Sequence, residues 1–133
     1  MVIFTTDYLM RDGKDHHMVA DYRFLGRARL EDHAIHCIGW PFFTPVLCKS
    51  PGNACWGEAF LLDRYKEDRQ LEALDLYHQQ AGGFLRQQAQ VVVDGMPLNV
   101  WIYVGPTPDS APLENWTNRP SIARPDRRRY ARA

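Results

Sequence analysis

The chain has 133 residues, of which 45% are hydrophobic and 24% are charged, the composition of a folded domain large enough to bury a core. This composition excludes a disordered chain, and no apolar run approaches the ~20 residues that cross a bilayer. Charged residues from Asp7 onward interrupt the first apolar stretch too early for a signal peptide. The three cysteines, Cys37, Cys48 and Cys55, predict reduced, buried thiols and a cytoplasmic protein.

The formal net charge is zero, but the charges are unevenly distributed along the chain. Residues 119–133 contain six arginines and one acid, so this segment carries +5 and residues 1–118 carry −5. Residues 1–115 are therefore predicted to form one domain, and residues 116–133 a basic, flexible tail. Such a tail could contact nucleic acid or an anionic surface, with a solvated terminus as the alternative. Only Tyr130 is interleaved among the arginines, so a specific nucleic-acid module is not indicated.

Short strands are predicted in the first half of the chain from β-branched content and from alternation of charged and apolar positions. They are residues 2–6, 24–30, 33–40 and 42–49. Pro41 ends the third of them or marks an edge, and Pro45 favours an edge position for the last. Residues 7–14 are predicted to form a loop, and residues 16–19 a short helical turn.

The clearest signals lie between residues 50 and 104. The predicted elements are a turn at residues 50–53, a strand at 54–62, a helix from Tyr65 to Gly82-Gly83, and strands at 85–93 and 98–104. Leu71, Leu74, Leu76 and Tyr77 give the helix its apolar spacing. Asp94-Gly95 between the last two strands is typical of a hairpin. Together these elements predict an α+β fold: a small, mostly antiparallel, barrel-like sheet with flanking helices.

Several of these segments resemble the γ-glutamylcyclotransferase-like (AIG2-like) superfamily over residues 2–110. The resemblance is carried by Trp56-Gly57, by Leu74-Asp75 near the helix end, by Phe84-x-Arg86, and by the Phe-x-Gly-x-Ala pattern of residues 24–28. It implies a small barrel with a cavity at one end. That cavity would bind a γ-glutamyl or related small amine compound without a cofactor.

The resemblance also implies where the site lies. The family's catalytic glutamate falls on His78, and its Tyr-Gly-Ser/Thr-Leu loop falls on Thr6, Asp7, Tyr8 and Leu9. Backbone amides of that loop would hold the substrate carboxylate, although Asp7 stands where the family has a glycine. Retained activity would be a cyclotransferase, of lyase type, that forms 5-oxoproline with His78 as the base.

Glu58 is the single charge in an apolar strand, which makes it a candidate pocket carboxylate and catalytic helper. An outward-facing strand position is the alternative for Glu58, and a helix-end residue near the negative dipole pole is the alternative for His78. The changes at Asp7 and His78 favour a second hypothesis, a non-catalytic module that binds a small ligand or a protein on the same scaffold.

Other constellations are weaker. His33-x-x-His36-Cys37 and His16-His17 fit no standard zinc spacing, so no metal site is predicted. A cysteine nucleophile is an open alternative to buried core thiols. Four aromatic residues could line the cavity or pack in the core: Trp40, Trp56, Trp101 and Tyr103.

Overall fold

The computed structural model describes residues 1–38, 44–82 and 84–105. Five strands, one α-helix and two 3₁₀ turns follow one another along the chain. They are β1 (Val2–Thr5), a first 3₁₀ turn (Asp7–Leu9), a second 3₁₀ turn (His16–Val19), β2 (Arg23–Ile38), β3 (Thr44–Leu61), α1 (Glu67–Gly82), β4 (Leu85–Val93) and β5 (Met96–Val104). The predicted tail at residues 116–133, Trp40, Gly83 and the side chain of Cys37 lie outside the described residues.

The strands form a closed barrel in the order β1, β3, β2, β4, β5. β1 pairs antiparallel with β3 and closes the barrel through a parallel contact with β5, where Ile3 faces Trp101. The remaining pairs are antiparallel. The predicted fold class is therefore confirmed, including the mostly antiparallel sheet.

β2 and β3 are each longer than the sequence predicted, because two predicted strands merge in each case. Residues 50–53 do not reverse the chain as predicted. They form an irregular insertion between the pairs Glu31–Ala54 and His33–Lys49. Gly52 takes φ +85° there, and its N–H donates to the Asp32 carboxylate at 3.1 Å. The turn chemistry is thus present, but it produces a bulge within a continuous strand pair.

The apolar side chains form two clusters, because alternate strand residues point to opposite faces of the barrel wall. Phe4 and Ala59 belong to the cluster inside the barrel, whereas their neighbours Ile3 and Phe60 face outward. The outward cluster also contains Leu71 and Leu74 of α1, Phe84 and Tyr103. The helix therefore docks on one side of the barrel and buries one face.

α1 begins two residues later than Tyr65, which is 86% exposed, and Leu76 is also exposed. The apolar spacing predicted Leu76 on the buried face, and this prediction is wrong because Leu71 and Leu74 fill the contact with the barrel. The hairpin at Asp94-Gly95 is confirmed, with φ values of +49° and +78°. No helix among the described residues is long and apolar enough to cross a membrane.

Candidate functional site

A cleft of about 350 Å³ opens between the loop after β1 and the C-terminal half of α1. This is within the range of small-molecule sites, roughly 300–1,000 Å³. The loop, residues 6–9, is called the β1 loop below. It forms one wall, and Tyr77 and His78 of α1 form another. Phe84, Leu47 and Tyr103 complete the lining with apolar surface. Five of the six predicted site residues therefore meet in this cleft: Thr6, Asp7, Tyr8, Leu9 and His78.

Asp7 takes a left-handed backbone conformation with φ +52°. Aspartate tolerates this region better than most side chains because its short polar group can hydrogen-bond locally. The loop thus turns in a glycine-like way although a carboxylate stands at this position. Asp7 is part of the cleft lining but is only 6% exposed, and its Oδ2 is buried.

Three consecutive carbonyl groups hold the β1 loop in place. The backbone carbonyl oxygen of Asp7 accepts from the Met10 N–H at 3.0 Å, and that of Tyr8 accepts from the Asp15 N–H at 2.9 Å. The Leu9 oxygen accepts from His16 Nδ1–H at 3.1 Å. Because each peptide of the turn is bonded onward to the following segment, the loop is preorganised.

Glu58 fastens both ends of the β1 loop. Its backbone pairs with Thr5, the last residue of β1, and Thr5 Oγ1–H donates to the Glu58 carbonyl oxygen at 3.3 Å. Its carboxylate accepts from the backbone N–H of Arg11 at 2.7 Å and from Arg11 Nε at 3.2 Å. Arg11 in turn lies 3.5 Å over the Phe24 ring.

Glu58 faces outward from the barrel, as Phe60 two residues later does, but its side chain is 0% exposed because Arg11 and the neighbouring segment cover it. It is also not part of the cleft lining. A direct role in the chemistry would need a carboxylate in the cleft, whereas both oxygens of Glu58 are bonded to Arg11. Its contacts make it a residue that fixes the loop.

His78 is oriented by a hydrogen bond within its own helix. Its Nδ1 lies 2.8 Å from the Leu74 carbonyl oxygen, and a carbonyl can only accept, so Nδ1 carries the proton. In the neutral ring the other nitrogen, Nε2, then holds the lone pair. The imidazole stacks on the Tyr103 ring at 3.7 Å with an interplanar angle of 2°.

Burial keeps the imidazole uncharged. It lowers the pKa of His78 from 6.5 to about 4, although the Leu74 hydrogen bond and the Asp75 carboxylate act in the opposite direction. At neutral pH the cleft therefore presents an unprotonated nitrogen. His78 lies four residues before Gly82, the last residue of α1, so the helix-end alternative also fits its position.

Asp75 ties the end of α1 to the barrel. Its carboxylate accepts from Tyr103 O–H at 2.7 Å and from Arg86 Nε at 3.0 Å. Arg86 and Tyr103 face each other in the β4–β5 ladder, so one carboxylate bridges a cross-strand pair. The two matching segments, Leu74-Asp75 and Phe84-x-Arg86, are thus joined by an ion pair that also holds the ring on which His78 stacks.

Charges of both signs line the cleft. Asp15 accepts from Tyr77 O–H at 2.7 Å, and burial together with that bond raises the pKa of Tyr77. The Asp7 carboxylate contributes to the same effect. Lys14 lies 4.4 Å over the Tyr8 ring. With His78 neutral, two carboxylates and one ammonium give this wall a net negative charge, which favours a ligand that carries an ammonium group.

The other sequence candidates lie away from the cleft. His33 Nδ1–H donates to the Glu31 carbonyl oxygen at 2.8 Å, and His36 is buried. Residues 1–38, 44–82 and 84–105 contain no group of three His, Cys, Asp or Glu side chains that could hold a metal ion. Burial raises the pKa of the Cys48 thiol to about 11 and that of Cys55 to about 12, so neither is a nucleophile at neutral pH.

Sequence reasoning missed several lining residues: Lys14, Asp15, Tyr77, Gln80 and Phe84. Of the four aromatic candidates, Tyr103 lines this cleft, and Trp101 lines a separate groove on the outer surface. Asp15 comes from a loop whose position depends on the backbone bond to Tyr8, so no local pattern marks it. Tyr77 was placed on the buried helix face, which is also the face nearest the cleft.

Stability is expected to depend on pH through His78. The unfolded chain takes up a proton near pH 6.5, whereas the folded protein resists it down to about pH 4. The free energy of unfolding should therefore fall as the pH drops through this window. We expect the free energy of unfolding to fall by about 2 kcal/mol. This is less than the ~3 kcal/mol that the whole pKa difference would give, because water in the cleft screens the imidazole.

Urea denaturation at pH 7.5, 5.5 and 4.5 measures this loss. His78→Gln should flatten the dependence between pH 6.5 and 4, whereas the same change at the exposed His17 should leave it unchanged. A wild-type slope that survives in His78→Gln would show that other groups cause it.

Comparisons with known proteins agree with this architecture. The family model described as "Gamma-glutamyl cyclotransferase, AIG2-like" matches residues 3–118. No curated protein matches the sequence.

Among solved structures, an AIG2-like protein from Mus musculus is 24% identical with a TM-score of 0.66, over 84% of this chain and 79% of that one. A structure titled "Gamma-glutamyl cyclotransferase" is 18% identical with a TM-score of 0.63, over 87% and 73%. An uncharacterized protein from Pyrococcus horikoshii is 15% identical with a TM-score of 0.60, over 85% of each chain. At these identities the structures share the fold.

Proposed function

Because the chain belongs to the γ-glutamyl cyclotransferase, AIG2-like family, we propose that its cleft binds a γ-glutamyl or related small amine compound and that His78 is the base for its cyclisation. The β1 loop holds the substrate's carboxylate end, with Lys14 providing a cation in the lining. Glu58 acts indirectly by fixing that loop through Arg11.

The reaction needs proton transfer and no other reagent. The substrate's α-nitrogen forms a bond to the γ-carbonyl carbon, and the bond from that carbon to the leaving amine breaks. Two protons move from the α-ammonium to the leaving nitrogen, which departs as an ammonium ion, and 5-oxoproline remains. A general base must take the first proton before attack and return it to the leaving nitrogen.

The position of His78 in the same cleft as the β1 loop is the observation that carries this proposal. Its Nδ1–H is fixed on the Leu74 carbonyl, so the lone pair is on Nε2 at neutral pH. A pKa of about 4 gives the imidazole nearly the basicity of an ordinary glutamate, ~4.3. Compared with an ordinary glutamate, this half-buried histidine therefore provides a base of similar strength without the negative charge.

A binding module without catalysis is the second candidate. It is favoured by the packing of His78, whose ring stacks on Tyr103 and meets Tyr77 and Phe84 edge-on. An imidazole in such an aromatic cluster contributes packing whether or not it transfers a proton. In this case the same cleft would bind the ligand without converting it to a product.

The test measures 5-oxoproline release from a panel of γ-glutamyl amines and dipeptides. We expect turnover by the wild type and a loss of 10²-fold or more in His78→Ala, the typical contribution of a general base. His78→Glu should retain turnover, because it provides a base of similar strength in the same place.

Gln80→Ala is the matched control, since Gln80 lines the cleft two residues further along α1 and transfers no proton. Turnover equal in His78→Ala and wild type would rule out His78 as the base. No turnover by a folded wild type that still binds these compounds would favour the binding module.

A further inference from the structure

We infer that Asp75 is a positioning residue for the base: through the Tyr103 ring, it stabilises the imidazolium that forms when His78 accepts a proton. The inference rests on the proposed function for its chemical consequence, whereas its electrostatic part is measured without any substrate. Asp75 is not part of the cleft lining, so its effect on the reaction passes through His78.

A base at this position becomes a cation in a half-buried place. His78 is neutral at rest, because burial lowers its pKa to about 4. During the reaction Nε2 takes a proton from the substrate's ammonium group and holds it until the leaving nitrogen accepts it. The burial that keeps the resting imidazole neutral also disfavours this protonated state. A partner that favours positive charge on the ring therefore assists proton transfer.

The face of the Tyr103 ring is the first such partner. The two rings are parallel to within 2°, and their centroids are 3.7 Å apart. An aromatic face attracts a cation at this distance. Tyr77 and Phe84 meet the imidazole at interplanar angles of 79°, so Tyr103 is the ring that stacks on it.

Asp75 gives that ring a negative partner. Its carboxylate accepts from Tyr103 O–H at 2.7 Å. Burial and this hydrogen bond raise the pKa of Tyr103, so the hydroxyl keeps its proton and remains the donor. A phenol that donates to a carboxylate is polarised toward a more negative ring. Asp75 also lies three positions before His78, on the same side of α1, and its charge raises the pKa of His78 against the effect of burial.

The other charges near His78 have different positions and partners. Asp15 accepts from Tyr77 O–H, and Arg86 Nε lies 3.0 Å from the Asp75 carboxylate, which it keeps ionised. The titratable and charged groups packed around His78 are Asp75 and Tyr77 of α1, Tyr103 of β5, Arg86 of β4, and Asp7, Tyr8, Lys14 and Asp15 in the cleft lining. Among them, Asp75 is the carboxylate bonded to the stacked ring.

Asp75→Asn separates this role from a purely structural one by the sign of its effect. The full chain is labelled with ¹³C-histidine, and the Cε1 resonance of His78, assigned by its absence in His78→Gln, is followed by NMR as the pH is lowered. In the wild type we expect half of the imidazole to be protonated at a pH of about 4. Asp75→Asn should lower this midpoint to about 3, the smallest change expected for the loss of a nearby opposite charge.

A residue that only holds α1 in place would have the opposite effect. Loosening the helix admits water to the imidazole, and this raises the pKa of His78 toward its ordinary value of about 6.5. Near-ultraviolet circular dichroism at each pH confirms that the protein titrated is folded.

Turnover provides the second measurement. At pH 7.5 the weaker base of Asp75→Asn should lower kcat for γ-glutamyl amines about threefold or more and leave KM unchanged, because Asp75 touches no substrate. Glu72→Gln is the matched control, since it removes the same charge from an exposed position one turn earlier on α1. It should change neither the midpoint nor kcat.

The double variant Asp75→Asn with Arg86→Gln identifies the cause of the lower midpoint. Its midpoint should stay below that of the wild type, because the carboxylate has been lost in both variants. A return to the wild-type midpoint would assign the effect to the unpaired Arg86 guanidinium and overturn the inference.

Other outcomes distinguish the two proposals. A midpoint in Asp75→Asn that is unchanged or rises toward 6.5 would overturn the inference and leave the proposed function intact. If this variant unfolds before pH 4, kcat at pH 7.5 decides, and a wild-type kcat overturns the inference. A lowered midpoint together with no turnover by the wild type would overturn the proposed function and confirm the electrostatic role of Asp75.

Discussion

Replacing Gly57 by alanine is expected to destabilise the barrel by about 3 kcal/mol or more. A Cβ at this position would lie 2.2 Å from the Thr5 carbonyl oxygen and 2.7 Å from the Phe4 ring. The Phe4 side chain could shift, but the Thr5 oxygen belongs to β1 and cannot retreat without moving the strand. Overpacking of this kind costs 1–3 kcal/mol even where side chains alone must adjust.

Gly52→Ala is the matched control in the same strand. Gly52 has φ +85°, but no described atom lies within 4 Å of a Cβ placed there. We expect only the conformational cost, roughly 1–2 kcal/mol. Urea denaturation of both variants compares the two effects. Equal losses would mean that β1 yields at Thr5 and that close packing there is not essential.

Replacing Glu58 by leucine should cost about 3 kcal/mol and loosen the β1 loop. The change keeps the volume but removes both acceptors, so the Arg11 backbone N–H loses its partner. Breaking a buried pair typically costs 3–5 kcal/mol, and the lower end applies because the Arg11 side chain is 34% exposed and can reach water. γ-Glutamyl amines should bind at least tenfold more weakly, since the β1 loop is no longer fixed.

Two variants make this result specific. Glu58→Gln retains one acceptor for the backbone N–H, so it should lose about half as much stability. Glu31→Gln removes a carboxylate from an exposed ion pair with Arg29 and should change stability by less than about 0.5 kcal/mol. If Glu58→Leu binds γ-glutamyl amines with wild-type affinity, Glu58 does not position the loop.

Much of the fold could be predicted, because its signals are local. Helical spacing located α1, Asp94-Gly95 located the last hairpin, and alternation located most strands. The turn at residues 50–53 was misassigned because Pro-Gly chemistry serves a bulge as well as a reversal. Only the pairing of β2 with β3 on both sides of the insertion distinguishes a bulge from a chain reversal, and strand pairing is a property of the whole sheet.

The site was predictable where a motif marked it and not elsewhere. His78 and the β1 loop were located by resemblance, and they meet in one cleft. The left-handed turn at Asp7 was not predicted. The family has glycine at this position, and glycine adopts conformations that other residues resist, yet Asp7 takes φ +52° here. Asp15 and Lys14 enter through a loop whose path is set by long-range hydrogen bonds, and the low pKa of His78 results from its burial against Tyr103.

The parallel contact between β1 and β5 has a consequence for the order of folding. Ile3 meets Trp101 from 98 positions away, one of the longest closures in the described chain. The entropy lost in closing such a span favours an order in which this contact forms after the local hairpin of β4 and β5, although β1 can pair with β3 before it. Because the β1 loop and Tyr103 of β5 both line the cleft, the cleft is complete only when β5 has closed the barrel. Ligand binding is therefore a property of the completely folded barrel. A nascent chain whose β5 is still inside the ribosome has no complete site.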